Sequence, residues 1–225
     1  MGFFRGSSLF ILSILLLLSF FAAGSFLIVS TSLKYENVQK ELGPVIQELS
    51  KGLNDENRAL FNETAVRELL QDSYYKNYDC DFWNCLATEQ TPLFLVSQKA
   101  KDYWKEKFYY SLLISLALVG LIFFLVQNKL NWPVIVGSIL ILSSIPLLKI
   151  KGLISLFIPG EISVLSTFLN IFFSKALMVF WISFILGLVL IGIGLGLKFS
   201  NADFVKKITE KIEKKEAEKI KREKK

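Results

Sequence analysis

Four long apolar runs alternate with polar stretches along the chain. Each run approaches the ~20 residues that an α-helix needs to cross the ~30 Å hydrocarbon core of a bilayer. Almost no charged residue interrupts them. The pattern therefore predicts an all-α integral membrane protein with four transmembrane helices. We place these helices at residues 8–30, 107–127, 132–148 and 175–199.

The first apolar run has some features of a secretory signal peptide. Arg5 precedes it, and small residues stand at positions 22–24. The apolar character nevertheless continues to Val29, which makes the run longer than the 7–15 apolar residues of a signal peptide. We therefore expect an uncleaved membrane anchor.

A polar stretch at residues 31–106, here called the insert, separates the first two apolar runs. Apolar residues recur at helical spacing over residues 38–53 and again over residues 61–70. No part of the insert alternates apolar and polar residues for long enough to predict a strand. The insert is therefore predicted to be a helical domain.

A third helix of the insert is expected to lead into the membrane. Thr91 is placed as its N-cap, and Pro92 occupies the first helical position, where proline is well tolerated. No helix-breaking residue follows before the second apolar run. One rigid helix would then couple the insert to the membrane bundle.

The basic residues that flank the apolar runs predict how the chain crosses the membrane. Residues 203–225 hold 10 Lys and Arg against 6 Asp and Glu, and basic flanks remain on the cytoplasmic side. The tail at residues 200–225 is thus predicted to be a cytoplasmic basic helix. With four spans, residues 1–7 are also cytoplasmic and the insert is extracytoplasmic. The expected location is the cell membrane.

Three further features bear on this orientation. Asn62 begins an N-glycosylation sequon, so it is a possible glycosylation site on an extracytoplasmic insert. Cys80 and Cys85 are predicted to form a disulfide, which fits an oxidising compartment. One feature disagrees with this orientation, because it would place Lys149 and Lys151 on the outer side of the membrane. They keep open a five-span arrangement in which residues 152–173 also cross the membrane.

The segment at residues 153–174 admits three interpretations. Pro159, Gly160 and Glu161 disfavour a transmembrane helix, because they break the helix and place a carboxylate at depth. We favour an interfacial amphipathic helix before the last span. Its predicted apolar face consists of Ile162, Leu165, Leu169 and Phe172. A re-entrant segment is the other alternative to a fifth span.

The densest unusual feature of the chain lies around the two cysteines. Five aromatic residues within ten positions form a candidate partner-binding loop; they are Tyr74, Tyr75, Tyr78, Phe82 and Trp83. Exposed Tyr and Trp are typical of interaction hot spots. In the alternative interpretation, the disulfide pins a loop whose rings cover the core of the insert or rest on the membrane surface.

Composition argues against an enzyme. The chain has no histidine, and no phosphate-binding loop, dinucleotide fingerprint or nucleophile elbow occurs. Thiol oxidoreduction is disfavoured because there is no second cysteine pair to relay electrons. Asp79 and Asp81 could hold calcium only weakly, so no metal or cofactor is expected. The net charge of +6 does not indicate nucleic-acid binding, because it comes from the tail, whereas the insert holds 9 basic and 13 acidic residues.

Glycines in the last span indicate close helix packing. Gly192 and Gly196 form a Gly-x-x-x-Gly pair, and Gly187 and Gly194 add to it. Such small residues let two helix backbones approach closely. The partner helix lies either within the bundle or in a second copy of the chain, so a homo-oligomer is one expectation.

These patterns favour a non-enzymatic scaffold, assembly or partner-binding protein. It would be held in the lipid bilayer and would bind an unidentified protein through the extracytoplasmic helical insert. The alternative is a small transporter or channel subunit that uses residues 153–173 as a re-entrant element. No charged residue stands near the middle of the four predicted spans, which favours the first interpretation.

Overall fold

The computed structural model describes residues 2–50, 63–88, 92–150, 152 and 169–223. The regular elements of these residues are all helical. The α-helices are α1 (Gly2–Ser32), α2 (Tyr35–Ser50), α3 (Glu63–Tyr75), α4 (Phe82–Thr88), α5 (Gln98–Leu125), α6 (Trp132–Leu148) and α7 (Ala176–Glu223). Two short 3-10 helices, Pro92–Val96 and Lys129–Asn131, precede α5 and α6.

Among the described residues, four segments are long and apolar enough to cross a membrane. They are Phe4–Ser32, Gln98–Leu125, Lys129–Leu148 and Leu169–Ser200. The predicted all-α fold with four apolar spans is confirmed at this level. Large apolar side chains such as Leu113, Phe124 and Leu186 point outward from the bundle. Such an outer surface suits a lipid environment, as in a multi-pass membrane protein.

The membrane bundle is built from two helix pairs. α1 packs along α5, and α6 packs along α7, while contacts between α1 and α6 join the pairs. Leu16 and Ile122 are fully buried at one end of the bundle, and Ile28 and Leu147 are buried near the other end. These contacts place α1 at the centre of the bundle.

Serine side chains hold α1 against α5. The Ser19 and Ser115 hydroxyl oxygens lie 2.8 Å apart. The Ser111 hydroxyl donates to the Ser19 carbonyl oxygen at 3.0 Å. In hydrocarbon, a hydroxyl without a partner is costly, so paired serines both satisfy one another and let the helices approach closely.

The insert surrounds its own apolar core. Leu33, Val66, Phe94 and Ala100 are buried there and come from the α1–α2 connection, α3, the first 3-10 helix and α5. α5 then runs without a break from this core into the second span, as the sequence pattern predicts.

The start of α5 differs from the prediction. Residues Pro92–Val96 form a 3-10 helix, and α5 begins only at Gln98. Ser97 is its N-cap, with an extended backbone (φ −75°, ψ 165°) and a side-chain oxygen that accepts a hydrogen bond from the Ala100 backbone N–H at 3.3 Å. Serine at this position satisfies an orphan backbone donor, and that capping preference decides where the helix starts.

The residues just before α7 belong to the insert core. Residues 169–172 are helical and lead into a turn at residues 173–175. Ile171 is fully buried in the insert core, and Phe172 packs against that core as a residue of the predicted apolar face. Ile171 itself was not part of that predicted face. The Lys175 backbone N–H donates to the Ser32 hydroxyl oxygen at 3.2 Å. The start of the fourth span is therefore fastened to the end of the first.

Several predicted features fall outside the described residues. Asn62 is one of them, so its glycosylation remains a prediction. Residues 153–168 also lie outside the described part of the chain. The interfacial, re-entrant and five-span interpretations of this segment therefore stay predictions. The same applies to Thr91, the predicted cap of the third insert helix.

Candidate functional site

The Cys80–Cys85 disulfide closes the turn that leads into α4. The two Cα atoms lie 5.4 Å apart, and Cys85 is fully buried in the insert core. Asp81 precedes α4 as a helix cap, because its carboxylate oxygen accepts a hydrogen bond from the Asn84 backbone N–H at 3.3 Å. Cap and disulfide together fix the orientation of a helix of only seven residues.

Asp81 thus has a structural role. Asp79 and Asp81 stand beside the disulfide and were considered as weak calcium ligands. Within the part of the chain that the structure describes, no group of three or more His, Cys, Asp or Glu residues is placed to hold a metal ion.

The five aromatic residues of the candidate loop divide into two sets. Tyr74, Tyr78 and Phe82 are buried in the insert core. Tyr75 is 54% exposed and Trp83 is 62% exposed. Three of the five rings therefore cover the core of the insert. Of this set, Tyr75 and Trp83 expose more than half of their surface.

Phe82 is the centre of the buried set. Its ring stacks on Tyr103 of α5, with centroids 4.1 Å apart and an interplanar angle of 7°. It also lies 5.6 Å from the Phe94 ring and 5.7 Å from the Trp104 ring. Aromatic pairs contribute roughly 0.5–1.5 kcal/mol each beyond the burial of area. Phe82 therefore anchors α4 on the helix that enters the membrane.

Tyr74 fastens α3 to the end of the first span. Its hydroxyl donates to the Leu33 carbonyl oxygen at 2.9 Å, and its ring meets Tyr35 edge to face at 5.4 Å. Burial, assisted by the neighbouring Tyr75 and Asp102, raises the pKa of Tyr74 to about 12. The neutral phenol is thus the form that the folded insert stabilises.

Alkaline pH should therefore weaken the insert through Tyr74. Its pKa is about 10 in an unfolded chain and about 12 in the fold, so its contribution is complete below pH 10 and is lost as pH rises towards 12. The stability difference between the wild type and Tyr74→Phe should fall by up to about 1.4 kcal/mol per pH unit in that range. Urea unfolding of the detergent-solubilised protein at pH 8 to 11.5 measures it.

The same measurement on both proteins at each pH isolates the contribution of the Tyr74 hydroxyl. An identical alkaline slope in the wild type and Tyr74→Phe would contradict the assignment.

Trp83 and Leu86 form an exposed apolar patch on α4, here called the Trp83 surface. They stand one helical turn apart, and Leu86 is 42% exposed. The Trp83 ring meets Phe82 edge to face at 5.5 Å and Tyr103 at 6.4 Å. These ring contacts hold the indole in place while most of it faces outward.

Comparisons with known proteins do not assign this surface. No protein-family model, curated protein or solved structure matches the chain. A function is therefore inferred from the exposed side chains and from how the fold supports them.

The glycines of α7 have unequal roles. A Cβ atom built at Gly187 would lie 2.6 Å from the Ile141 side chain and 2.9 Å from the Gly137 carbonyl oxygen. A Cβ at Gly192 or at Gly196 would meet nothing within 4 Å. Gly187 therefore packs within the bundle, whereas Gly192 and Gly196 meet no other helix among the residues that the structure describes.

Helix geometry explains this difference between the glycines. At 3.6 residues per turn, Gly192 and Gly196 are rotated by roughly 140° and 180° from Gly187 around the α7 axis. Gly194 returns to the face of Gly187, and a Cβ there would lie 3.1 Å from the Val134 backbone nitrogen. Gly187 and Gly194 thus share the face that meets α6, and the expectation that Gly192 and Gly196 meet a second copy of the chain stays a prediction.

Gly137 was missed in the sequence analysis. It is the point of α6 that receives Gly187, and a Cβ there would lie 2.6 Å from the Gly187 carbonyl oxygen. The available signal was a single glycine within an otherwise bulky apolar span. That signal does not say which helix approaches.

Proposed function

We propose that the chain is a membrane-anchored scaffold that binds a protein partner through the Trp83 surface of its insert. The insert is extracytoplasmic in this proposal, the protein resides in the cell membrane, and both termini are cytoplasmic. The observation that carries the proposal is the 62% exposure of Trp83 on a helix that the disulfide and Phe82 hold rigid.

Rigidity makes this exposed tryptophan favourable for binding. Trp, Tyr and Arg supply most interface hot spots, and truncation of a hot spot costs at least about 2 kcal/mol of binding free energy. Ordering a mobile side chain or loop opposes association. The Asp81 cap and the Cys80–Cys85 bond impose that order before a partner arrives.

The attachment of the insert supports a scaffold role. Tyr74 bonds to the end of α1, the insert core continues into α5, and Ile171 leads directly into α7. Three spans thus hold one domain. A partner bound at Trp83 would be kept at a defined orientation relative to the membrane.

Two chemical features support the proposed sidedness. A disulfide such as Cys80–Cys85 persists in oxidising compartments and is rare in the cytosol. The basic tail follows the charge bias of cytoplasmic segments. In intact cells, a membrane-impermeant maleimide should therefore label a cysteine introduced at exposed Gln71 and should not label one introduced at Lys198. The reverse pattern would contradict the orientation.

Site-specific photo-crosslinking tests the partner surface. A photoreactive phenylalanine analogue at position 83 or 86 of the full chain in its own membrane should give a discrete protein adduct. The same probe at position 71 is the control, because Gln71 is exposed on α3 outside the Trp83 surface. Trp83→Ala should weaken the binding that the position 86 probe reports by about 30-fold, as expected for a hot spot.

The alternative outcomes are equally specific. Equal adducts at positions 71 and 83, or no protein adduct at position 83, would contradict a partner surface. Adducts only with phospholipid at position 83 would show that α4 rests on the membrane surface, which also contradicts the proposal.

A further inference from the structure

A cavity of about 430 Å³ opens at one end of the membrane bundle. It lies where α1 begins, α5 ends and α6 begins. Its polar lining consists of Arg5, Gln127, Asn128 and Asn131. The rest of the lining is apolar and includes Leu9 and Ile135, which belong to the spans themselves. The cavity is thus amphipathic, with its polar groups at the end of the apolar helices.

Arg5 is the charged group of this cavity. Its Nε donates to the Leu125 carbonyl oxygen at 2.5 Å, which fixes the guanidinium against the end of α5. Within the described part of the chain, Arg5 takes part in no ion pair, and no acidic residue lines the cavity. The four N–H groups of its terminal nitrogens suit the oxygens of a phosphate, which guanidinium binds in a two-pronged geometry.

The nearby lysine is engaged elsewhere. Lys129 Nζ donates to the carbonyl oxygens of Phe123 and Phe124 and lies 4.5 Å from the centroid of the Phe123 ring. Lys129 therefore caps the end of α5 and does not line the cavity. Among the described lining residues, Arg5 alone carries a positive charge.

Two asparagines add amide donors beside Arg5. The Asn128 side-chain oxygen accepts a hydrogen bond from the Leu130 backbone N–H at 3.0 Å, which orients its amide group. Asn131 occupies the N-cap position of α6, but its side chain makes no capping hydrogen bond. Both residues thus retain side-chain N–H groups that an anion can use.

We propose that this cavity binds the headgroup of an anionic glycerophospholipid. The Arg5 guanidinium pairs with the phosphate, the asparagine amides donate to its oxygens, and an acyl chain continues along Leu9 and Ile135. The charge of the lining selects the headgroup. Since the described lining contains no carboxylate, it offers no ion pair to the ammonium group of a choline or ethanolamine lipid.

Native mass spectrometry of the full chain in detergent tests the proposal. Phosphatidylglycerol and phosphatidylcholine with identical acyl chains are added separately, and the lipid-bound fraction is measured. The wild type should bind phosphatidylglycerol more tightly. Arg5→Gln should weaken that binding by about fivefold, the effect of one basic residue at an anionic membrane surface. Arg5→Lys should keep the preference.

Asn131→Asp provides an independent variant. Aspartate is as good an N-cap as asparagine, so α6 should keep its start while a negative charge enters the cavity lining. This variant should also lose the preference for phosphatidylglycerol. Lys198→Gln is the matched control, because it removes an exposed positive charge at the same end of the bundle outside the cavity. It should bind like the wild type.

Three results would overturn the proposal. One is equal binding of the two lipids by the wild type. Another is unchanged phosphatidylglycerol binding in Asn131→Asp, a variant that decides the question even where Arg5→Gln fails to fold. The third is displacement of the lipid by inorganic phosphate at equal concentration, which would identify a site for a free anion.

Discussion

Leucine in place of Gly137 is expected to force α6 and α7 apart. Any Cβ at this position would lie 2.6 Å from the Gly187 carbonyl oxygen and 3.0 Å from Leu190 Cβ. A backbone oxygen cannot move without its helix, so the crossing has to widen. Overpacking of this kind costs about 3 kcal/mol at the upper end of its usual range. Denaturant unfolding in detergent measures the loss.

Gly192→Leu is the matched control for this substitution. It adds the same side chain to a glycine in the other helix of the same pair, where nothing lies within 4 Å of the added Cβ. Leucine is the better helix former by somewhat less than about 1 kcal/mol, so this variant should be neutral or slightly more stable. Equal destabilisation by both substitutions would show that Gly137 and Gly187 do not form the critical crossing.

Phe82→Ala should detach α4 from the insert core. The substitution removes a buried ring that stacks on Tyr103 and contacts Phe94 and Trp104. Truncation of a buried phenylalanine typically costs about 3–5 kcal/mol. The change should appear as a lower midpoint of thermal unfolding, followed by near-ultraviolet circular dichroism, and as faster amide hydrogen exchange in α4.

Trp83→Ala separates stability from binding at the adjacent position. Because Trp83 is mostly exposed, its removal should change the unfolding free energy by only about 0.5 kcal/mol, while it weakens the binding reported by the position 86 probe by about 30-fold. Phe82→Leu should recover part of the stability that Phe82→Ala loses. A larger loss of stability in Trp83→Ala than in Phe82→Ala would reverse the roles given to these two rings.

The sequence was sufficient for those features that depend on long, regular patterns. The four apolar spans and the helix that joins the insert to the second span follow from hydropathy and helical spacing. The Cys80–Cys85 pairing follows from the presence of only two cysteines. Each of these inferences needs only the local chain.

The remaining features depend on how distant segments meet. Residues 76–81 form no helix or strand, so no periodic pattern predicts that the Phe82 side chain faces the insert core while the Trp83 side chain faces away from it. Ile171 is buried because it contacts the insert core. The buried core residue nearest to it in sequence is Ala100 at the start of α5, and the second and third spans lie between the two. Gly137 is identifiable only once Gly187 lies against it.

Ile171 and Ser32 give the insert a mechanical role in addition to its surface. A force applied at Trp83 would be transmitted to α5 through the stacked rings of Phe82 and Tyr103. The shared insert core would transmit it to the start of α7 through Ile171 and to the end of α1 through Leu33. The load would then be divided among three helices. In the proposed scaffold role, no single span would bear the whole force that a bound partner exerts.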